Sequence, residues 1–319
     1  MLRTPLLLIA LAAVTLGGCR ARERPIRGRA RAGSLVLDRP VERVREDANG
    51  RTLRDALGEV TVPAHPTRVL PLGFTATDAL VVLGVTPAAA PLHMSHAEGD
   101  FADYARPYLR GVPSLSVFDA GLERILATHP DLILADAGTP FSIDQLRRVA
   151  PTVVMRVASA EQRLLDVGTV LGLRDRAEAR LAEHAEKMQR ARALLAPFAG
   201  TETVALLRVH QKQFRLYGDR LGCAPVLFDV LGLRPSPLVQ RRVIEPGLSQ
   251  SPLSEESLAL LDADRVFLYV DPPAQARTHL LLARNPVWRT LPAVRAGRVH
   301  RLTSAIIWNS VLARERMVD

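Results

Sequence analysis

The sequence has few of the features that mark several large classes of protein. Its 319 residues include only two cysteines, which excludes a disulfide-rich scaffold. Aromatic residues make up 4% of the chain, so a pocket lined mainly by aromatic rings is disfavoured. Beyond the N-terminus no apolar run is long enough to cross a bilayer, which excludes a protein with several transmembrane helices. The 48% of hydrophobic residues in turn excludes a wholly disordered chain.

The motifs of common enzymes are also missing. The segment 247–251 has the serine of a nucleophile elbow, but Ser251 stands where the motif closes with glycine. There is no Walker loop, no Cys-x-x-Cys and no His-Glu-x-x-His. His93 and His96 lie three residues apart without a third ligand at fixed spacing, so no metal site is predicted. We therefore predict a protein that is not an enzyme. An exported two-lobed hydrolase or chelatase, and a structural envelope lipoprotein, are the alternatives of another class.

Charge is distributed unevenly along the chain. The formal net charge is +9, and all but two of the 42 basic residues are arginines. Residues 20–54 contain eleven arginines and five acidic residues, so with Arg3 of the N-terminus included only +2 remains for residues 55–319. The basic segment has neither helical periodicity nor interleaved aromatic residues. We interpret residues 19–58 as a flexible tether beside anionic lipid headgroups, and no nucleic-acid partner is predicted.

The first residues are typical of export. A short basic start, an apolar stretch and small residues predict a signal peptide over residues 1–18. The segment from Leu16 to Cys19 resembles a bacterial lipobox, which makes Cys19 the lipidated first residue of the mature chain; an ordinary signal peptide with an incidental cysteine is the alternative. The protein is then anchored to a membrane on its periplasmic or extracytoplasmic face. Cys223 has no intramolecular partner in that case and is predicted to be a buried small apolar residue.

Two halves of the chain repeat the same order of elements. A helix that ends at glycine, followed by an apolar residue and proline, recurs at Gly84 and Gly232, which are 148 residues apart. A helix followed by an aspartate and a buried strand recurs at Asp131 and Asp264, 133 residues apart. These matches predict two related α/β lobes over residues 59–159 and 198–319, each with a mainly parallel sheet.

Between the predicted lobes, residues 160–197 contain no proline before the final residue of the segment. Their apolar positions recur at helical spacing among dense charges, which predicts one long amphipathic helix with an interruption near Gly172. A single helical connection allows two lobes to face each other across a ligand cleft, but it restrains large hinge motion. An ordinary helix inside one domain is the alternative.

Several segments together resemble a known family. They are Pro63 to Leu70, Leu122 to Ile133, Asn285 to Trp288 and Gly297 to Val299. In this order they resemble the helical-linker class of ABC-transporter substrate-binding lipoproteins, which capture ferric siderophores, haem or cobalamin. The resemblance covers nearly all of residues 60–319. It implies two Rossmann-like lobes, a rigid connecting helix and a shallow cleft. We expect a monomer that delivers its ligand to a permease dimer.

The resemblance also implies a docking contact. In this family one acidic residue near the top of each lobe pairs with arginines of the membrane subunits. By position these residues match Glu123 and Glu256, with Glu255 as the adjacent competitor. The alternative is that both carboxylates only favour the first turn of a helix through its dipole.

Ligand-binding residues are expected at the ends of the strands. In open α/β sheets, ligands bind beyond the carboxyl ends of the parallel strands. Arg208 ends the strand that begins at Thr203, and guanidinium groups present forked donors suited to carboxylate or catecholate oxygens. The family's C-terminal tryptophan matches Trp308. The predicted ligand-binding residues are Phe74, His93, Arg208, Tyr217, Arg220, Arg241, Arg242, Tyr269 and Trp308.

The expected ligand is a large anionic chelate. Together with the resemblance, the arginines favour an iron(III)-siderophore complex, and haem or cobalamin is the alternative within the class. Haem would use His93, His210 or Tyr217 as an axial ligand, whereas surface or hydrogen-bonding roles are the other interpretation of these residues. No cofactor other than the lipid on Cys19 is expected.

Overall fold

The structure is a computed structural model that describes residues 40–48, 50–92, 101–117, 121–156, 158–210, 213–270, 282, 284–302 and 308–319. All of them belong to one compact unit, residues 35–319. No helix in these ranges is both long enough and apolar enough to cross a membrane.

The chain first forms a three-stranded antiparallel sheet in the order β1-β2-β3. The strands are β1 (Glu42–Asp47), β2 (Gly50–Asp55) and β3 (Gly58–Val62). Leu53 and Val62 are buried in the same apolar cluster as the sheet of the first lobe. Residues 42–58 of the predicted tether, residues 19–58, instead form β1 and β2 and the start of β3, and Leu53 and Ala56 among them are buried apolar side chains.

Arg51 shows why a high density of arginines did not indicate a flexible tether in this segment. Its side chain is 3% exposed and donates to the Glu46 carboxylate and, over 2.8 Å, to the carbonyl of Val170. The Arg54 guanidinium donates to Glu59 on the adjacent strand at 2.9 Å. Arg51 and Arg54 are thus paired across strands, and neither belongs to a solvated tail.

The first lobe is a parallel α/β unit. Strands β4, β7 and β8 pair in parallel in the order β4-β7-β8, and the short strands β5 and β6 form a separate parallel pair. Its strands and helices are β4 (Val69–Pro71), α1 (Phe74–Val82), β5 (Ala90–Pro91), a 3-10 turn (Arg106–Tyr108), β6 (Ser114–Leu115), α2 (Leu122–Leu126), β7 (Leu132–Asp136), α3 (Ile143–Val149) and β8 (Thr152–Met155). The strands are continuous apolar runs because both faces of the sheet are covered.

Two consecutive helices connect the lobes, α4 (Ala160–Leu171) and α5 (Arg174–Ala199). The break lies at Gly172, whose φ of +70° is in the left-handed region that glycine adopts without steric cost. The Arg51 guanidinium packs directly against Gly172, so a side chain at this position would also collide with it. The interruption predicted from the sequence is therefore present, and the N-terminal sheet is fastened to it.

The second lobe contains a six-stranded mixed sheet. Its main order is β12-β10-β9-β13-β14, with β11 paired to β9, and β10 and β12 are antiparallel to their neighbours. The elements are β9 (Thr203–His210), β10 (Gln213–Tyr217), a π-helix (Val226–Val230), β11 (Arg234–Pro235), α6 (Pro237–Val239), a second π-helix (Gln240–Ile244), β12 (Gln250–Leu253), a 3-10 helix (Ser257–Leu260), β13 (Arg265–Val270), α7 (Pro286–Thr290), α8 (Pro292–Arg295), β14 (Val299–Arg301) and α9 (Val311–Met317).

The repeated order of elements reappears as one repeated contact. In the first lobe the Asp131 carboxylate accepts hydrogen bonds from the backbone N–H and hydroxyl of Thr67, at 2.6 and 2.8 Å. In the second, Asp264 accepts the same two bonds from Thr203 at 2.7 and 2.8 Å. Each aspartate precedes the second parallel strand and each threonine precedes or begins the first. We call this contact the Thr–Asp clamp.

The lobes share a core. One apolar cluster contains Leu92 and Tyr104 from the first lobe together with Leu206, Tyr217 and Tyr269 from the second. The final helix α9 returns to the first lobe, where it lies against α1 and α5. The chain therefore passes between the lobes twice.

Candidate functional site

Arg208 is held by two tyrosines on one face of the second sheet. On neighbouring β13, Tyr269 is the register partner of Arg208, and the guanidinium carbon lies 5.7 Å from the centre of its ring. On the other side, a guanidinium nitrogen of Arg208 donates to the Tyr217 hydroxyl at 2.9 Å. Arg208 is half-buried, so its charge is only partly screened by water. The predicted residues Arg208, Tyr217 and Tyr269 are thus brought together.

Tyr217 supports this arginine instead of lining a cavity. Its side chain is 2% exposed within the shared core, and its hydroxyl faces Arg208. A tyrosine at this depth cannot reach a bound chelate or a haem iron unless the sheet moves. The structure therefore places Tyr217 behind the predicted binding residue.

A second arginine, Arg215, was missed by the sequence reasoning. It is the direct cross-strand partner of Arg208 in the antiparallel β9–β10 pair, so both side chains project from the same face. Arg215 is half-buried and has no hydrogen bond or ion pair in the described part of the chain. Two like charges placed opposite each other destabilise a sheet. Such a pair is relieved when an anion binds between its members.

An aromatic stack joins the two lobes. Phe74, the first residue of α1, and Trp308, from the C-terminal segment, stack with ring centroids 4.2 Å apart and planes 26° from parallel. Both side chains are half-buried. Trp308 packs against the same shared core as Tyr217 and Tyr269. Two more predicted residues therefore meet at the junction of the lobes.

Cys223 fixes the backbone of this segment. Its thiol is fully buried and donates to the Trp308 carbonyl oxygen, with a sulfur–oxygen distance of 2.7 Å. Burial raises the pKa of the Cys223 thiol to about 12. The thiol is therefore neutral and packed, as the sequence predicted, and a reactive role is disfavoured.

The other predicted arginines are not part of this cluster. Arg220 donates to the Gly247 carbonyl at 3.3 Å, and Arg241 lies 4.0 Å from the Asp262 carboxylate, which precedes β13. Arg220, Arg241 and Arg242 are exposed, and none contacts Arg208 in the part of the chain that the structure describes. These three arginines therefore lie outside the group formed by Arg208, Tyr217 and Tyr269.

At the end of β7 the first lobe presents a carboxylate. Asp136 pairs with the nearly buried guanidinium of Arg163 at 2.8 Å, and its carboxylate packs against the backbone of Gly73, where a side chain would collide with it. Burial raises the pKa of Asp136, and the charge of Arg163 opposes that shift. Asp136 therefore lies against the turn that precedes Phe74.

His93 and His96 lie outside the described residues. Within the described ranges, no group of three or more histidine, cysteine, aspartate or glutamate side chains is arranged to hold a metal ion.

The two predicted docking carboxylates are both on the surface. Glu123 is exposed in the first turn of α2, and Glu256 is exposed just before a short 3-10 helix. Hydrogen bonds from its own backbone and from Ser254 lower the pKa of Glu256. The adjacent Glu255 instead accepts a hydrogen bond from the Asn285 amide at 3.2 Å. Both neighbouring carboxylates are therefore exposed, and each accepts a hydrogen bond from within the chain.

Comparison with known proteins places this architecture among binding proteins. The sequence pattern of a family described as periplasmic binding protein matches residues 72–306. The chain is 23% identical over 252 residues to the iron(3+)-hydroxamate-binding protein FhuD of Bacillus subtilis, covering 77% of this chain and 76% of the relative. It is 26% identical over 267 residues to the Fe(3+)-citrate-binding protein YfmC of the same organism, covering 80% and 79%.

A solved structure shows the same fold. It is Staphylococcus aureus SirA complexed with staphyloferrin B, with a TM-score of 0.68 and 24% sequence identity, covering 84% of this chain and 96% of that one. The expectation of two α/β lobes joined by a helical connection is thereby confirmed.

Proposed function

Because the chain belongs to the periplasmic binding protein family, we propose that it is the solute-binding component of an ABC importer and that it captures an iron(III)-siderophore complex. Members of this family bind a ligand and do not transform it, so the cleft needs groups that recognise and release a chelate. The named cargoes of the relatives, ferric hydroxamate and ferric citrate, support the ligand class.

The observation that carries the proposal is the pair of half-buried arginines on one sheet face. Arg208 and Arg215 stand directly opposite each other, and Tyr217 and Tyr269 hold Arg208 in place. Guanidinium groups donate to the anionic oxygens that surround a chelated ferric ion. The chelator itself satisfies the coordination of iron, so the protein needs hydrogen-bond donors and no metal ligands of its own.

We propose that the aromatic stack adds an apolar surface to the binding site. Phe74 and Trp308 offer a half-buried apolar surface to the ligand's backbone or aromatic rings. A cationic surface and an apolar surface together suit a large anionic complex with an organic exterior.

We further propose that Glu123 and Glu256 dock the loaded protein on the permease. Both are exposed, and each lies shortly before the aspartate of a Thr–Asp clamp, so they occupy equivalent places in the two lobes. Two equivalent carboxylates match a permease dimer with two-fold symmetry. Charge reversal at both sites, Glu123→Arg with Glu256→Arg, should abolish uptake and leave chelate affinity unchanged, while Glu255→Arg serves as the control. A loss of affinity in the double variant contradicts this assignment.

The anchor proposed for the exported protein is a lipid on Cys19. The lipobox from Leu16 to Cys19 supports it, and the segment lies outside the described residues. Mass spectrometry of protein extracted from membranes should find an acylated Cys19 as the first residue. A mature chain that begins elsewhere contradicts the proposal.

The test of the ligand class is native mass spectrometry of residues 20–319 against a panel. The panel holds ferric catecholate, ferric hydroxamate and ferric citrate complexes, together with haem and cobalamin. We expect one-to-one complexes with at least one ferric chelate. Selective binding of haem or cobalamin would establish the alternative within the class, and binding to none of the five contradicts the proposed function.

A further inference from the structure

Helix α1 holds the C-terminal segment at two points. Phe74 and Asp78 are four residues apart, so they lie on one face of the helix. Phe74 stacks on Trp308, and the Asp78 carboxylate accepts a hydrogen bond from the Ser310 hydroxyl at 2.5 Å. Two positions one turn apart on the helix thus contact Trp308 and Ser310.

Asp78 is an unusual residue to find at this depth. It is 2% exposed, and the same carboxylate oxygen accepts a second hydrogen bond, from the Tyr104 hydroxyl at 2.9 Å. In the described part of the chain no arginine or lysine forms an ion pair with it. Burial raises the pKa of Asp78 to about 6, and the hydrogen bonds from Ser310 and Tyr104 oppose that shift. A buried carboxylate without a cation costs stability, so stability does not explain its presence.

Ser310 transmits the contact to the backbone. Its hydroxyl oxygen also accepts a hydrogen bond from the N–H of Ala313 at 3.0 Å, which caps helix α9. The Cys223 thiol holds the Trp308 carbonyl from the second lobe. The segment is therefore fixed by Asp78 on one side and Cys223 on the other, with the Trp308 ring between them on Phe74.

We propose that Asp78 is a positioning residue for ligand binding: through Ser310 it holds the Trp308 ring against Phe74 at the cleft, without contacting the ligand itself. The inference rests on the proposed function of the cleft. It assigns a role to the carboxylate, to Tyr104 as its second donor, and to the helix cap as the link to the binding surface.

A double-mutant cycle tests whether Asp78 acts through Trp308. Asp78→Ala removes the shared acceptor and should weaken chelate binding by about tenfold, the loss expected when a stacked ring is no longer held. In a Trp308→Ala background the same substitution should change the affinity by less than about twofold. An equal loss in both backgrounds, or no loss in either, overturns the proposal.

Fluorescence of the ligand-free protein gives a readout that does not depend on the cargo. In a Trp288→Phe background Trp308 is the single tryptophan, and Trp288 itself belongs to a different core cluster. Asp78→Ala should shift Trp308 emission to the red and raise its quenching by acrylamide. Asp78→Asn keeps an acceptor oxygen and should restore the wild-type signal, and Tyr104→Phe should give a smaller shift because Ser310 keeps its bond.

The two arms separate the possible failures. If the wild-type protein binds none of the chelates, the proposed function is wrong while the fluorescence result still decides whether Asp78 positions Trp308. Unchanged emission and quenching in Asp78→Ala would falsify the positioning role even if chelates bind.

Discussion

The two lobes share a framework and differ at the cleft. At the amino ends of the strands each has the Thr–Asp clamp, Thr67 with Asp131 and Thr203 with Asp264, with nearly the same distances. In the proposed site the second lobe contributes arginines, whereas the first contributes Phe74, and its acidic residues on α1 and β7 are the buried Asp78 and the half-buried Asp136. The contacts that hold the strands together are alike in the two lobes, and the residues proposed to meet a ligand differ.

The largest effect on chelate affinity should follow from removing the charge of Arg208 in the second lobe. Arg208→Ala is expected to weaken chelate binding by about a hundredfold, because it deletes a charge-assisted donor from a half-buried site. Isothermal titration calorimetry measures the affinity. Arg241→Ala is the matched control, since that exposed arginine is paired with Asp262 and its loss should leave the affinity unchanged. Equal losses in the two variants would show that net charge, not placement, binds the chelate.

The buried acid of the first lobe should show itself in the pH dependence of stability. Burial raises the pKa of Asp78 in the folded protein to about 6. The stability linked to the protonated carboxyl is therefore fully present below the pKa of the unfolded chain, and it is lost as the pH rises through about 6. From about pH 4 to about pH 8 the free energy of unfolding of the wild type should fall by roughly 2–3 kcal/mol relative to Asp78→Asn. Urea unfolding at several pH values measures this difference. A constant difference between the two proteins would rule out titration of Asp78.

Breaking a clamp should affect stability alone. Asp264→Ala removes two hydrogen bonds to Thr203 and Asp131→Ala removes those to Thr67, each expected to cost about 1–2 kcal/mol in the free energy of unfolding. Denaturant titration gives the loss, and chelate affinity measured on the folded variants should not change. A clamp variant that folds fully and binds more weakly would contradict the separation of framework from site.

The smallest expected effect concerns the like-charge pair. Arg215→Ala should raise the free energy of unfolding of the ligand-free protein by a few tenths of a kcal/mol, because a repulsive cross-strand pair is removed. The same variant should bind the chelate about tenfold more weakly. A higher free energy of unfolding together with a lower chelate affinity would identify Arg215 as a residue of the site. A change in the free energy of unfolding without a change in affinity would place it outside the site.

Local signals in the sequence predicted the framework well. Asp131 and Asp264 stood at similar offsets in the two halves and form the same clamp, and Gly172 marked the break between the connecting helices. Cys223 lay in an apolar pattern and is buried. Each of these depends on short-range patterning or on burial, which a single sequence records.

The remaining features depend on pairing between distant segments. Arg215 faces Arg208 only because β10 folds back on β9, a register that no local motif specified. Arg51 looked like part of a charged tail, yet its partners include the carbonyl of Val170, far along the chain. Asp78 lay in an ordinary helical segment, and its role depends on Ser310 at the other end of the sequence.

The double passage of the chain between the lobes has a mechanical consequence. A body connected by one strut can both bend and twist, whereas two struts leave bending and suppress rotation about the long axis. Here the connecting helices form one link between the lobes, and the contact of α9 with α1 forms the other. Bending can then change the distance between Glu123 and Glu256, whereas rotation that would turn the two carboxylates to different sides is restrained.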